Sequence, residues 1–293
     1  MGQVISKPHV AVLGTKETCL RLVEGLEEAA LPYTLVTIDD SNDGRSQLPA
    51  LQTHGAILAT EPAGAYDQVL ATAPCAVLIA GWYWLIKSEV LERTGIPFIG
   101  MHYSPLPSYR GSSPVVWQLM NGEREVGYSI FKLTSGMDEG PIFASGSVDR
   151  GDGYIGSILR RLDSKAIPAM VSVAQQLLEG SAICSPQSSK KVSYAAPRTE
   201  QDGLVDWYKR ASEIERFVRA QSRPYPGAFS QLNEEIVRIW RATALEIPYY
   251  GAPGQIVAFE AGAPIIACGE GTGLRLEEFD SIRGRISGRF SVR

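Results

Sequence analysis

PFIGMHYSPLPSYRGSSPVVW, residues 97–117, joins the pattern of a buried strand to a histidine, a proline-rich turn and the start of a helix. The apolar run ends at His102, and two places earlier stands Gly100, which has no side chain. An Arg110–Gly111 pair follows. Then comes SPVVWQLMNGE (113–123), which carries helix signals: Ser112 or Ser113 as cap, Pro114 in the first turn and Asn121-Gly122 as the stop. A titratable ring at the end of an apolar strand raises the question of what surrounds it.

Upstream, strand and helix patterns alternate. HVAVLG (9–14), YTLVTID (33–39), GAILA (55–59) and CAVLIAGW (75–82) read as buried strands. KETCLRLVEGLEEAA (16–30) has helical spacing with Leu20, Val23 and Leu26 on one face, and KSEVLERTG (87–95) is a short helix closed by glycine. Continuous apolar strands between helices predict an α/β fold: a Rossmann-like parallel sheet covered on both faces. Ligands of such sheets bind beyond the carboxyl ends of the strands, where Gly14, Trp82 and His102 fall.

Downstream, EVGYSIFKL (125–133) and PIFASGSV (141–148) are strand-like, separated by the loop TSGMDEG (134–140). Residues 152–180 read as a long helix broken near Pro168, and 181–203 as a polar linker. Beyond it come a helix (211–221), a turn SRPYPGAF (222–229) and short strands, IVRIWRATAL, GQIVAF, PIIACG and GLRLEEF, which make a small β module. The division expected is residues 1–198 and 199–293.

The bulk numbers are those of an ordinary globular chain: 293 residues, 44% hydrophobic, 20% charged, net charge -4. That balance argues against a broad nucleic-acid-binding face. Cys19, Cys75, Cys184 and Cys268 are scattered without a C-x-x-C pair and read as free thiols of a reducing, cytoplasmic setting. His9, His54 and His102 have no ligand spacing, so no metal is expected. No run reaches the length of a membrane span, so neither a membrane span nor a secretory signal is expected. MGQVIS fits an amino-terminal acylation pattern through Gly2 and Ser6, but a flexible leader is the preferred reading.

His102 taken alone reads first as a structural histidine bonded to backbone. Its position at the carboxyl edge of the sheet, and an acid, Asp138, in the glycine-lined loop Gly136-Met137-Asp138-Glu139-Gly140, point to a proton-handling pair. Three consecutive aromatics, Trp82, Tyr83 and Trp84, cannot all face inward, so at least one is expected to line a cleft or meet a partner.

GMHYSPLPSYRGSSPVVWQLMNGEREVGYSIFKLTSGMDEGPI resembles the central signature of the folate-dependent formyltransferases, a family that includes the methionyl-tRNA and nucleotide-sugar N-formyltransferases. The matches are His102, Ser104, Leu106, Pro107, Arg110, Gly111, Gly122, Gly127, Ser129, Asp138 and Gly140. Asp206, Trp207, Pro224, Pro226, Gly227 and Ala228 resemble the family's carboxyl-terminal module, which implies an OB-like barrel after the α/β domain.

The resemblance implies transfer of a formyl group from N10-formyltetrahydrofolate to an amine, without a metal. His102 and Asp138 align with the family's catalytic His and Asp, while Gly100 stands where the family has an oxyanion-stabilising Asn. Loss of one such donor costs about 3–4 kcal/mol. A backbone N–H, a water, or the hydroxyl of Tyr103, Ser104 or Tyr128 is expected in its place. Otherwise the fold does other chemistry, hydrolyses formyl-folate, or only binds a ligand.

The resemblance further places folate against Trp82, Tyr83, Trp84, Leu85 and Ile86 and against Gly136, Met137 and Gly140. The acceptor is expected to be a small amine: an amino-sugar nucleotide, an amino acid or a biosynthetic intermediate. Tyr103, Arg110, Gly111, Ser112 and Tyr128 are expected near it, with a structural salt bridge as the competing role for Arg110. The tRNA-binding members carry a basic insertion near the second strand. DDSNDGRSQLPALQ (39–52) has three aspartates and one arginine there, which argues against tRNA. The sequence sets no oligomeric state.

Overall fold

The computed structural model describes residues 7–40, 46–92, 95–232, 235–280 and 288–291. Gly2 and Ser6 of the acylation pattern, and residues 41–45 of the acidic stretch, lie outside the described residues. The chain divides into two compact units. The first gathers the described residues up to Gly111 with Gly127–Ser147 and Arg161–Tyr194; the second gathers Ser112–Val126, Val148–Arg160 and the described residues from Ala195 onward.

In chain order the elements begin β1 (Val10–Leu13), α1 (Glu17–Glu28), β2 (Tyr33–Ile38), α2 (Leu48–Thr53), β3 (Ile57–Ala59), α3 (Pro62–Ala71), β4 (Ala76–Ile79), α4 (Ser88–Glu92) and β5 (Phe98–His102). Next are β6 (Arg110–Gly111), α5 (Pro114–Met120), β7 (Glu125–Lys132), β8 (Ile142–Asp149), α6 (Ile155–Glu179) and β9 (Tyr194–Ala195). The last are α7 (Ala211–Gln221), β10 (Ala228–Leu232), β11 (Glu235–Leu245), β12 (Ile256–Glu260), β13 (Ala263–Ala267) and β14 (Gly273–Phe279).

The first unit is built on a seven-stranded sheet in the order β3-β2-β1-β4-β5-β7-β8. The strands from β3 to β5 run parallel, and β7 pairs antiparallel to β5. Val10 to Leu13 are wholly buried, as a strand covered on both faces must be. Helix α1 buries Cys19, Leu22, Val23 and Leu26, the i, i+3, i+4, i+7 stripe of a helix seated on a sheet. Leu20, expected on that stripe, is only half-buried, because the stripe is centred one position away.

Two further expectations change. Helices α2 and α3 fill stretches read without a helix. The break expected near Pro168 is absent: α6 runs unbroken for 25 residues. Pro168 and Ser164, the residue whose carbonyl would have accepted the missing N–H, are both exposed, so water can satisfy that carbonyl. Leu162, Ala166, Ile167 and Met170 hold the buried side.

The second unit is built on a five-stranded antiparallel sheet, β10-β11-β14-β13-β12, as the OB-like module requires. Trp207 and Phe290 stack at 5.3 Å in its core, and the Trp207 indole donates to the Ser230 hydroxyl (2.9 Å). Among the described residues no helix is long and apolar enough to cross a membrane.

Candidate active site

Strand β5 places Phe98, Gly100 and His102 on one face, by the two-residue period of a strand. Its antiparallel neighbour sets Phe131 opposite Gly100 and Ser129 opposite His102. Ser129 fixes the turn that follows: its hydroxyl donates to the Ser104 carbonyl (2.8 Å) and accepts from the Leu106 N–H (3.1 Å). The Ser104 hydroxyl donates to the Ser108 carbonyl (2.6 Å). The turn brings the Tyr109 carbonyl back to the histidine.

His102 is buried, and its ring meets Phe131 edge-on with centroids 6.3 Å apart. Nε2 lies 2.8 Å from the Tyr109 carbonyl oxygen, which can only accept, so Nε2 carries the hydrogen of the neutral ring. Nδ1 faces Oδ2 of Asp138 at 3.7 Å, longer than a hydrogen bond. That same carboxylate oxygen accepts the Gly111 N–H at 2.7 Å. Tyr109 and Asp138 both have left-handed backbone (φ 60° and 51°), an arrangement costing an L residue about 1–2 kcal/mol. Two such residues flank the imidazole, Tyr109 bonded to Nε2 and Asp138 facing Nδ1.

The loop bearing Asp138 starts and ends on glycine. A β-carbon on Gly140 would coincide with the Lys132 carbonyl oxygen, so no larger residue fits. Arg110 is buried, and its guanidinium contacts the loop: Nη1 donates to Glu139 (3.1 Å), while Nε (3.2 Å) and Nη2 (2.8 Å) donate to the Gln187 amide oxygen. The Gln187 amide nitrogen in turn donates to the carbonyls of Asp138 (2.7 Å) and Gly140 (2.8 Å). Gln187 lies in the stretch read as a linker and has no local signal. Only contacts across the fold reveal it, as they do Phe131, Leu133 and the Tyr109 carbonyl.

Gly100 faces apolar matter. A β-carbon there would stand 2.5 Å from Leu133 Cδ1 and 3.2 Å from Phe131 Cε1. The volume next to the imidazole on this strand is therefore filled from β7 and its continuation, not by a polar side chain of β5.

The three hydroxyls expected as replacement donors lie elsewhere. Ser104 is bonded as above. Tyr103 donates to Asp163 of α6. Burial, then the nearby Asp163 charge, hold the phenol well above its ordinary pKa, and burial raises Asp163 as well. Tyr128 is buried with its hydroxyl against Gly146. Ser112 is exposed, donates its N–H to the Ala195 carbonyl (2.9 Å) and belongs to the second unit.

The stretch 82–86 alternates. Trp82 and Trp84 are half-buried against the core beside Phe98 and meet with tilted rings, centroids 4.7 Å apart, with the Trp82 indole donating to the Tyr66 hydroxyl (3.1 Å). Ile86 is buried, whereas Tyr83 and Leu85 are 63% and 88% exposed. Met137 is also exposed, and Gly136 is half-buried. Lys16, ion-paired with Asp40, sits 5.7 Å from the Tyr83 ring centroid. Among the described residues no three His, Cys, Asp or Glu side chains gather as a metal site.

Residues 47–155 match the family profile described as formyl transferase, and residues 198–286 match that of the formyl transferase C-terminal domain. Solved structures are similar in fold. HypX from Aquifex aeolicus in complex with tetrahydrofolic acid aligns at TM-score 0.69 and 20% identity over 94% of this chain and 44% of that one. The chain thus spans less than half the length of HypX. An N-formyltransferase from Helicobacter canadensis, in complex with folinic acid and dTDP-3-aminofucose, aligns at TM-score 0.69 and 16% identity over 92% and 99% of the two chains. Methionyl-tRNA formyltransferase from Clostridium thermocellum aligns at 0.63 and 19% over 80% and 93%. With both domain profiles matched in sequence order on an α/β unit and an antiparallel β unit, the chain belongs to the formyl transferase family.

Proposed function

We propose that this protein transfers the formyl group of N10-formyltetrahydrofolate to the amine of a small molecule, with His102 and Asp138 handling the proton. The observation that carries this reading is Nδ1 of His102 facing the Asp138 carboxylate at 3.7 Å, at the carboxyl edge of the parallel strands. In the reaction the amine nitrogen attacks the formyl carbon and the bond to N10 breaks. The amine sheds a proton and N10 gains one. Nε2 is occupied by the Tyr109 carbonyl, so Nδ1 is the ring position that exchanges the proton, and Asp138 supplies the counter-charge beside it.

Folate as donor is supported by the ligands in the HypX and Helicobacter structures and by the exposed apolar groups Tyr83, Leu85 and Met137. A small acceptor is supported by the acidic stretch 39–52 and the net charge of -4, which suit a tRNA phosphate backbone poorly. The amino-sugar nucleotide of the Helicobacter complex makes that class the first acceptor to try. The hydroxyls of Tyr103 and Ser104 being bonded elsewhere, the oxyanion would be met by a backbone N–H or a water. The second reading is formyl-folate hydrolysis, in which water replaces the amine.

The test is incubation with N10-formyltetrahydrofolate, alone and with panels of amino-sugar nucleotides and amino acids, read by mass spectrometry. A formamide product, lost by about 10²–10⁴-fold in His102→Ala, is the expected result. Formate in every mixture would establish hydrolysis instead. No turnover by the wild-type protein with any partner would sink both readings.

A further inference from the structure

We propose that Gln187 is the positioning residue of the His102–Asp138 pair, setting the gap between imidazole and carboxylate through the backbone of the loop that carries the acid. The proposal rests on the reading of that pair as the proton-handling unit.

Every hydrogen-bonding position of the Gln187 amide is filled. Its nitrogen donates to the carbonyls of Asp138 (2.7 Å) and Gly140 (2.8 Å), which flank Glu139. Its oxygen accepts twice from Arg110 (3.2 and 2.8 Å). Arg110 has no acceptor, so the amide oxygen must face it and the two donors must face the loop.

The loop needs this grip. Asp138 has φ 51°, a left-handed conformation that aspartate tolerates better than most L residues but that still costs free energy to hold. Two groups hold it: the Gln187 amide on its carbonyl and the Gly111 N–H on its carboxylate. Without the first, the carbonyl is released, the backbone can relax toward ordinary φ, and the carboxylate leaves its place 3.7 Å from Nδ1.

Gln187 is itself fixed from both sides along its chain. Ser185 pairs with Ile142 through two backbone hydrogen bonds (2.8 and 2.9 Å), and Ser193 accepts from the N–H groups of Tyr109 and Arg110 (both 2.9 Å). The second of these anchors holds the residue whose carbonyl receives the other nitrogen of His102. Arg110 thereby belongs to the clamp: its Nε, Nη1 and Nη2 all donate within it.

Two variants separate this role from simple packing. Gln187→Met removes all four bonds at similar volume. Gln187→Glu keeps an acceptor for Arg110, removes the two donors and sets a carboxylate charge against the Asp138 and Gly140 carbonyls. With three histidines in the chain, the ring signals of protein carrying ¹⁵N-labelled histidine are readily assigned.

The expected result is that both variants move the His102 ring signals in the direction Asp138→Asn moves them. Adding Asp138→Asn to Gln187→Glu should then move them no further. Release of tetrahydrofolate from N10-formyltetrahydrofolate should fall about 10- to 100-fold in kcat, with a smaller change in KM. Wild-type ring signals, or turnover within twofold of wild type, in Gln187→Glu would overturn the proposal. Should Gln187→Met fail to fold, Gln187→Glu alone decides. If the ring signals respond as stated but the wild-type protein itself turns over no formyl-folate, the positioning geometry stands and the formyl-transfer reading falls.

Discussion

Gly100 and Leu133 share one small volume beside the imidazole, and only one of them can carry bulk there. A β-carbon at residue 100 would press on Leu133 Cδ1 at 2.5 Å, so Gly100→Asn forces that leucine out of its place against the core. Overpacking of this kind costs about 1–3 kcal/mol. The cost should shrink when Leu133→Ala vacates the space, because contacting sites are not additive. Denaturant melts of the two single variants and the double variant measure this. An equal cost for Gly100→Asn in both backgrounds would show that Leu133 does not fill the position. The double variant also tests the chemistry: an amide next to His102 should raise formyl transfer above Leu133→Ala alone, by up to about 10²–10³-fold if an oxyanion donor is what this site lacks.

Among the elements, α6 shows how burial overrides a local rule. Pro168 lacks an N–H and is the one residue inside the helix that sequence logic would use to break it. It survives because its face is exposed while Leu162, Ala166 and Met170 are fully buried. Pro168→Ala should therefore stabilise the protein. Proline is about 3 kcal/mol worse than alanine in a helix interior, and up to about 1 kcal/mol is returned because alanine frees the unfolded chain. A gain of about 2 kcal/mol is expected in urea unfolding, and a loss would mean that Pro168 packs usefully.

The same contrast explains what could be read from residues alone. Strands β1, β4 and β5 were legible because a fully buried strand needs an unbroken apolar run. Helix α3 was not: it opens Pro62-Ala63-Gly64, which reads as a turn, though Ala65, Tyr66, Val69 and Leu70 are buried. Helix α2 has six residues and only Leu51 buried, too little for a period to show. His102 and Asp138 were legible as types at a strand end and in a glycine loop, and the structure sets them face to face. Gln187 was not, because what marks it is bonding across 77 and 49 residues of sequence to Arg110 and Asp138.

For the whole molecule, the buried Tyr103–Asp163 pair makes stability depend on alkaline pH with a definite sign. Burial, and then the charge of Asp163, hold the Tyr103 phenol well above its ordinary value, whereas in the unfolded chain it ionises near pH 10 (about 10 for a free tyrosine). Above that pH the unfolded state binds fewer protons than the folded state, so the free energy of unfolding falls as pH rises. The contribution is whole below about pH 10 and is lost from there up to the folded value, at most about 1.4 kcal/mol per pH unit. Tyr33, Tyr66 and Tyr154 are raised too and contribute the same way in both proteins to be compared. Tyr103→Phe deletes one limb. At pH 8 it should be destabilised, by about 1–3 kcal/mol, because Asp163 keeps its burial and loses its donor. As pH rises past 10 the wild-type protein loses stability faster than the variant, so the gap between them should close. Urea midpoints of both proteins from pH 8 to 11 give the answer. A gap that stays constant or widens would mean that the phenol ionises as freely in the fold as out of it.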